Sequence, residues 1–265
     1  MTEPFQRKSK KYYTCVDANQ VIAGISSRED GYSEVPFSSL NMGLHVSDDE
    51  NSVIQNRKAL AEELSIPLEN WVMGEQVHGT SVAVITPEDK GKGALSQGSA
   101  ISGTDGMITH HKDILLTAFY ADCVPLLFVE PDSGWIGIAH AGWKGSVHEI
   151  ARKMVEKLSE QGVAPTQIHL TIGPSISQKN YEVDDHVMSH VKDEFKSKVS
   201  EQISKNKFKL DLKELNRQIA INAGILNENI RLTNYCTYED QASFFSHRRD
   251  HGQTGRMLAF IGRKS

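Results

Sequence analysis

Between residues 71 and 139 the chain passes through six short apolar stretches, at 71–77, 81–85, 106–109, 114–120, 126–130 and 135–139. Several are dense in β-branched and aromatic residues, the types that fit a pleated, half-buried surface. That block commits the middle of the chain to sheet. Further extended segments are expected at 16–26 and 33–40, and strands at 168–172, 230–233 and 257–262. Helical patterns cluster at the start and in the second half. A helix is expected over 47–64, opened by a capping box of Ser47 and Glu50, with an apolar stripe of Val53, Leu60, Ala61 and Leu64. Others are expected over 147–161, with Ile150, Met154, Val155 and Leu158 inward, over 184–198, and from Asp211, where Glu214 completes a second capping box. The pattern predicts a layered α+β fold with mixed sheets covered by helices. No repeat and no Pro/Ser linker divides the 265 residues, which read as one domain, 1–265.

Composition narrows the function classes. A net charge of -5 argues against a nucleic-acid binder, whose domain is usually strongly basic. The longest apolar stretch, 114–129, is interrupted by Asp122 and Pro125 and is too short to span a membrane. The polar, basic first residues lack the apolar core of a signal peptide. Three cysteines, Cys15, Cys123 and Cys236, are too few and too odd for a disulfide framework and suit a reducing compartment. The expectation is a cytoplasmic protein that handles small molecules.

Three residues of metal-ligating type stand at the ends of the central strands: His78 after 71–77, Cys123 after 114–122, and His140 after 135–139. Two imidazoles and a thiolate are the ligand types of a catalytic zinc centre with one open position. The spacing is unlike a zinc finger, since no two of them fall within a few residues. Each has a plainer account, a structural histidine or a small buried hydrophobe. Three basic features bear on anion binding. Lys144 lies in a glycine turn, residues 141–146, before a helix, where free N–H groups and an ammonium suit an anion, or where the glycines serve only packing. Arg57 falls on the apolar stripe of its helix, so it needs a partner or an anion, or else snorkels to the surface. Arg248, with Arg249 and Arg256, lies in a basic loop that could grip phosphate or stay solvated. A weaker turn, Gly-Pro-Ser-Ile-Ser at 173–177, lacks a donor at Pro174. His45 could face either way. Residues 90–103 read as a flexible loop, either a lid over a site or a surface loop without a role.

The motifs occur in a recognisable order: Asn-Met-Gly-Leu-His (41–45), Glu-Gln-Val-His-Gly (75–79), Thr-Asp-Gly-Met-Ile-Thr (104–109), Ala-Asp-Cys-Val-Pro (121–125) and His-Ala-Gly-Trp-Lys-Gly (140–145). Ile-Gly-Pro-Ser-Ile-Ser (172–177) with Tyr-Glu-Val (181–183), and Phe-Phe-Ser-His-Arg-Arg (244–249) with Thr-Gly-Arg-Met (254–257), complete them. From about residue 24 to the C-terminus the chain resembles the YfiH-type laccase-domain family, also called the polyphenol oxidase or purine nucleoside phosphorylase family. The resemblance implies an α/β/β/α sandwich related to the cytotoxic-necrotising-factor catalytic fold. It implies a zinc ion held by His78, Cys123 and His140, with copper a possible occupant. It implies phosphorolysis of adenosine, inosine, guanosine and methylthioadenosine, and deamination of adenosine. Asn41, Arg57, Lys144 and Arg248 are the candidate contacts to purine nucleoside and phosphate. Two positions depart from the family: Lys144 stands where an arginine is common, and Asn180 where a cysteine often precedes Tyr-Glu-Val.

Competing readings are a copper polyphenol oxidase, a Cys123–histidine hydrolase of the kind implicated in peptidoglycan editing, and a zinc-stabilised binding protein without turnover. Against a multi-copper relay, the chain has no His-X-His pair; it has only the adjacent His110 and His111. Asp122 and Glu75 are candidate proton shuttles for deamination.

Overall fold

The central apolar stretches form strands that are divided between two sheets. The structure, a computed structural model, describes residues 2–18 and 20–264. In chain order the strands are β1 (Gln6–Arg7), β2 (Tyr12–Ala18), β3 (Val21–Ser26), β4 (Trp71–Met73), β5 (Val82–Val84), β6 (Gly106–Thr109), β7 (Ile114–Tyr120) and β8 (Val124–Val129). They continue with β9 (Ile136–Ala141), β10 (His169–Ile172), β11 (Glu182–Asp184), β12 (Ser200–Ser204), β13 (Lys207–Leu210), β14 (Ile230–Leu232) and β15 (Met257–Arg263). The helices are α1 (Glu50–Leu64), α2 (Trp143–Val147), α3 (Ile150–Glu160), α4 (Asp185–His190), α5 (Asp193–Val199) and α6 (Leu212–Asn222).

One sheet runs β1-β2-β3-β15-β7-β4 and the other β14-β10-β8-β9-β6-β5; a small third sheet is β11-β13-β12. Both large sheets are mixed: β4 with β7, β5 with β6 and β10 with β14 are parallel pairs, while β7 with β15 and β8 with β9 are antiparallel. Alternation along β8 shows the layering. Leu126 and Phe128 join the cluster that contains Met154, Leu158 and Ile219 of α3 and α6, whereas Leu127 joins Leu116, Ile138 and Ala259 between the two sheets. A third cluster packs Leu60 and Leu64 of α1 on Leu115, Leu258 and Phe260 from the outer face of the first sheet. Helices therefore cover both outer faces of two packed sheets, as the sequence predicts. No helix among the described residues is long and apolar enough to cross a membrane.

Several local expectations change. Helix α1 begins at Glu50, and its cap is Asp49, whose carboxylate accepts the Ser52 N–H at 2.8 Å. An ionised carboxylate beside the first free N–H groups is the stronger acceptor, so Ser47 is left outside the helix. At α6 the first half of the expected box forms, Asp211 accepting the Glu214 N–H at 2.9 Å, while the Glu214 carboxylate turns to Arg217 at 2.9 Å and Gln218 at 2.7 Å. The helix expected over 147–161 is α3, which starts only at Ile150 because Glu149 takes a left-handed φ of 61° and separates it from the short α2. The one expected over 184–198 is likewise broken, into α4 and α5. Residues 33–40 form turns, not a strand. The hairpin of β12 and β13 carries few apolar residues and gives little periodic signal.

The 90–103 stretch is a strap fixed along the edge of β4, not a free loop. Met73 N–H donates to Lys92 O and Ile101 N–H to Met73 O, each at 2.9 Å, and Gly74 bridges Ile101. Glycine at 93 is required: φ is +79°, and a Cβ would lie 2.6 Å from the Met73 side chain.

Candidate metal centre and cleft

Strand β7 belongs to the first sheet and β8 to the second, so the chain must cross between them after Tyr120. It does so at Asp122, with a left-handed φ of 83°, and the crossing presents Cys123 where the sheets part. His140 is the register partner of Pro125 near the end of β9, on the neighbouring strand. His78 follows β4 in a turn of its own, with φ 60°. The donor atoms of His78, Cys123 and His140 all lie within 4.8 Å of one another. The rings of His78 and His140 stand edge to face, 4.8 Å apart. At Gly142 a side chain would collide with the trio: a Cβ would lie 2.9 Å from His78 Cδ2 and 3.1 Å from Cys123 Sγ.

Asp105 binds this arrangement together, and the sequence reading did not single it out. One carboxylate oxygen lies 2.9 Å from His140 Nδ1 and accepts the His78 N–H at 3.1 Å. The other accepts the N–H of Gly79 at 2.7 Å and of Val77 at 3.2 Å. Its Thr-Asp-Gly motif just before β6 was the available signal. With Nδ1 held by the carboxylate, His140 offers Nε2 to the centre, the pairing that orients histidine ligands of metals. Burial pushes the Cys123 thiol up, but His140 and His78 beside it outweigh that and bring it down to about 6. Burial pulls His140 down, yet Cys123 and the bond to Asp105 raise it to about 9. A thiolate and two imidazoles, one of them oriented by the Asp105 carboxylate, fit a zinc ion with three protein ligands; the Irving–Williams order allows copper on the same donors. Among the described residues this is the one group of three such donors. His110 and His111 stack on each other at 4.1 Å, with His110 4.7 Å from Trp135, and do not line the cleft.

The trio lies in a cleft of about 640 Å³ with aromatic walls from His45, Phe119, Trp143 and Tyr181. The structure treats the four candidate anion contacts differently. Lys144 and Arg248 are exposed and line the cleft. Arg57 also borders it but is 1% exposed, and its guanidinium is spent on carbonyls: Met42 O at 2.7 and 2.9 Å, Gly93 O at 2.9 Å and Ala94 O at 2.7 Å. Neither snorkelling nor paired with an acid, it fastens α1 to the strap, and burial lowers its pKa to about 9. Asn41 is not a cleft residue. Its amide is buried, donating to Asp48 at 2.8 Å and accepting the N–H groups of Gly43 at 3.0 Å and Arg256 at 2.8 Å. A short polar side chain amid backbone donors is consumed by them.

The two candidate proton shuttles are engaged as well. The Asp122 carboxylate accepts from Thr237 Oγ1 at 2.6 Å, Ser246 Oγ at 3.0 Å and Arg248 N at 2.7 Å, anchoring the basic loop beside Cys123. Glu75 accepts from Ser102 at 3.1 Å and Gly103 at 3.0 Å at the end of the strap. His45 does face the cleft, 5.3 Å from the Phe119 ring; desolvation first, then Arg256 and Arg57, hold its pKa at about 4, so it is neutral at pH 7.

Comparison with known proteins decides the family. The family described as multi-copper polyphenol oxidoreductase laccase matches residues 22–264. The chain belongs to this family. A Bacillus subtilis (strain 168) protein, purine nucleoside phosphorylase YlmD, is 44% identical over 92% of this chain and 89% of its own length. Its Geobacillus stearothermophilus namesake is 42% identical over 100% and 98%. Two solved structures superimpose with TM-scores of 0.95 at 41% identity: Bacillus licheniformis hypothetical protein YfiH, over 98% of this chain and 99% of that one, and Geobacillus stearothermophilus YlmD, over 100% of both. The family members therefore share this mixed-sheet fold, as the motif resemblance implies.

Proposed function

We propose that the protein is a zinc-dependent purine nucleoside phosphorylase that acts on adenosine, inosine, guanosine and methylthioadenosine, and that it also deaminates adenosine. The observation that carries this reading is the His78–Cys123–His140 trio, oriented by Asp105, inside a cleft that offers both aromatic walls and exposed cations. Relatives named purine nucleoside phosphorylase over nearly their whole length support it.

Each part of the site has a task under this reading. Phosphorolysis must place phosphate beside the anomeric carbon and ease departure of the purine. Lys144 and Arg248, exposed at the cleft, supply the charge that draws and orients phosphate. Phe119 and Trp143 line the cleft as aromatic walls against which a flat base packs and from which water is displaced. His45, neutral at pH 7, can donate or accept a hydrogen bond with an uncharged nucleoside. His78, Cys123 and His140 would hold zinc, which supplies Lewis acidity and an activated water for the deamination. Asp105 keeps His140 in the tautomer that leaves Nε2 free.

The description of the family favours a second reading, a copper-binding phenol oxidase. A four-copper relay needs many more histidine ligands than one three-donor group provides. The purine reading is tested with His78→Ala, which removes a ligand at an exposed position. Release of hypoxanthine from inosine and phosphate should fall to background in this variant, with the melting temperature of the zinc-free protein unchanged. Turnover equal to that of the unmodified protein would sink the assignment.

A further inference from the structure

One cleft residue has its position fixed from several sides while its polar atom is left unused. Tyr181 leads into β11, and its carbonyl accepts the Leu210 N–H at 3.1 Å, which pins it to β13. Its ring packs at the margin of the helix-side core. The Arg248 guanidinium lies over the ring, 5.1 Å from its centroid, and donates to Glu182 O at 3.0 Å. The Arg248 N–H in turn donates to Asp122 at 2.7 Å, next to Cys123. Among the described residues the Tyr181 hydroxyl has no hydrogen-bond partner, although the residue lines the cleft that holds the trio. A positioned phenol with an open O–H in a cleft is a donor awaiting an acceptor.

The neighbours select the acceptor. Asp122 has spent its carboxylate on three donors, so it is not one. A guanidinium stacked on the phenol ring adds positive charge at this wall, which a neutral purine cannot exploit and an anion can. We infer that Tyr181 is a further substrate-binding residue, its hydroxyl donating a hydrogen bond to the phosphate cosubstrate beside the guanidinium of Arg248. The inference rests on the phosphorolysis reading and sharpens it: the phosphate subsite lies on the wall formed by β11 and the basic loop, away from Arg57, whose donors are already committed to carbonyls.

The alternative is that the ring merely supports Arg248. Tyr181→Phe separates the two, because it keeps the ring and the stack and removes only the oxygen. The experiment measures initial rates on the zinc-loaded full chain, varying phosphate at saturating inosine and inosine at saturating phosphate. Loss of one hydrogen bond to a charged group should raise the KM for phosphate by roughly tenfold or more. The KM for inosine should stay within about twofold, since the contact is to the other substrate. Arg248→Met should raise the same constant, and the double variant should cost less than the product of the two. The melting temperature reports whether Tyr181→Phe folds; Tyr181→His, which keeps a ring and restores a donor, should recover part of the phosphate affinity. An unchanged KM for phosphate in Tyr181→Phe, or a rise confined to the KM for inosine, overturns the inference while leaving phosphorolysis intact. Failure of the unmodified protein to release base in a phosphate-dependent way would overturn both.

Discussion

At the residue scale the site depends on one carboxylate. Asp105 holds the His140 ring through Nδ1 and, with its two oxygens, the backbone of Val77, His78 and Gly79, so two of the three donors share a single support. The donors themselves were legible, because each stands at the end of an apolar stretch. Asp105 was not. It lies 27 residues from His78 and 35 from His140, and the pairing of β6 with β9 is what brings it to His140. The same scale yields a pH prediction. A thiol held at about 6 is mostly thiolate above that pH and mostly protonated below it. In the metal-free protein, alkylation of Cys123 by iodoacetamide should rise with pH to a plateau with a midpoint near 6. Cys15, pushed by burial up to about 12, should stay unmodified throughout. His140→Ala should move the Cys123 midpoint up, because the offsetting positive neighbour is gone. A midpoint at the ordinary thiol value in the unmodified protein would contradict this picture of the site. Metal affinity should follow the same sign, weakening as pH falls below about 9, where a proton competes for His140, and further through 6, where it competes for the sulfur.

At the element scale Arg57 is the instructive case. Its place on the apolar stripe of α1 was visible in the sequence, and so was its need for a partner; the partner was not. The carbonyls that satisfy it come from 42 and from 93–94, segments whose approach depends on the strap lying along β4. Local patterns read single elements well, which is why β6 and β7 appear where expected. They read breaks poorly, because a left-handed residue such as Glu149 or a carboxylate cap such as Asp49 shifts a boundary without disturbing the apolar period. Arg57→Met tests the staple. It leaves three buried carbonyls without their donor and should destabilise the fold by about 3 kcal/mol in urea unfolding. The strap should also become more open to trypsin at Lys90 and Lys92. A loss below about 1 kcal/mol, with the strap still protected, would show that the edge of β4 holds it unaided.

At the scale of the whole molecule, the site exists because two sheets packed face to face must separate where the chain passes from one to the other. β7 ends in the first sheet, β8 begins in the second, and Cys123 sits in the crossing, with His140 on the next strand and His78 in the turn after the edge strand β4. That helices cover the sheets followed from helical patterns flanking a strand-rich middle, while the four-layer order came only with the family resemblance. The order of strands did not, since β15 from the chain's end is inserted between β3 and β7 and no local pattern encodes that. The cleft, its aromatic walls and its exposed cations are products of that closure. The central claim is that this cleft cleaves purine nucleosides with phosphate at a His-Cys-His centre. It is tested most directly by chromatography of inosine reactions run with and without phosphate, on protein carrying one zinc per chain. The account predicts hypoxanthine and ribose 1-phosphate only when phosphate is present. Hypoxanthine formed equally without phosphate, or none formed at all, would contradict it.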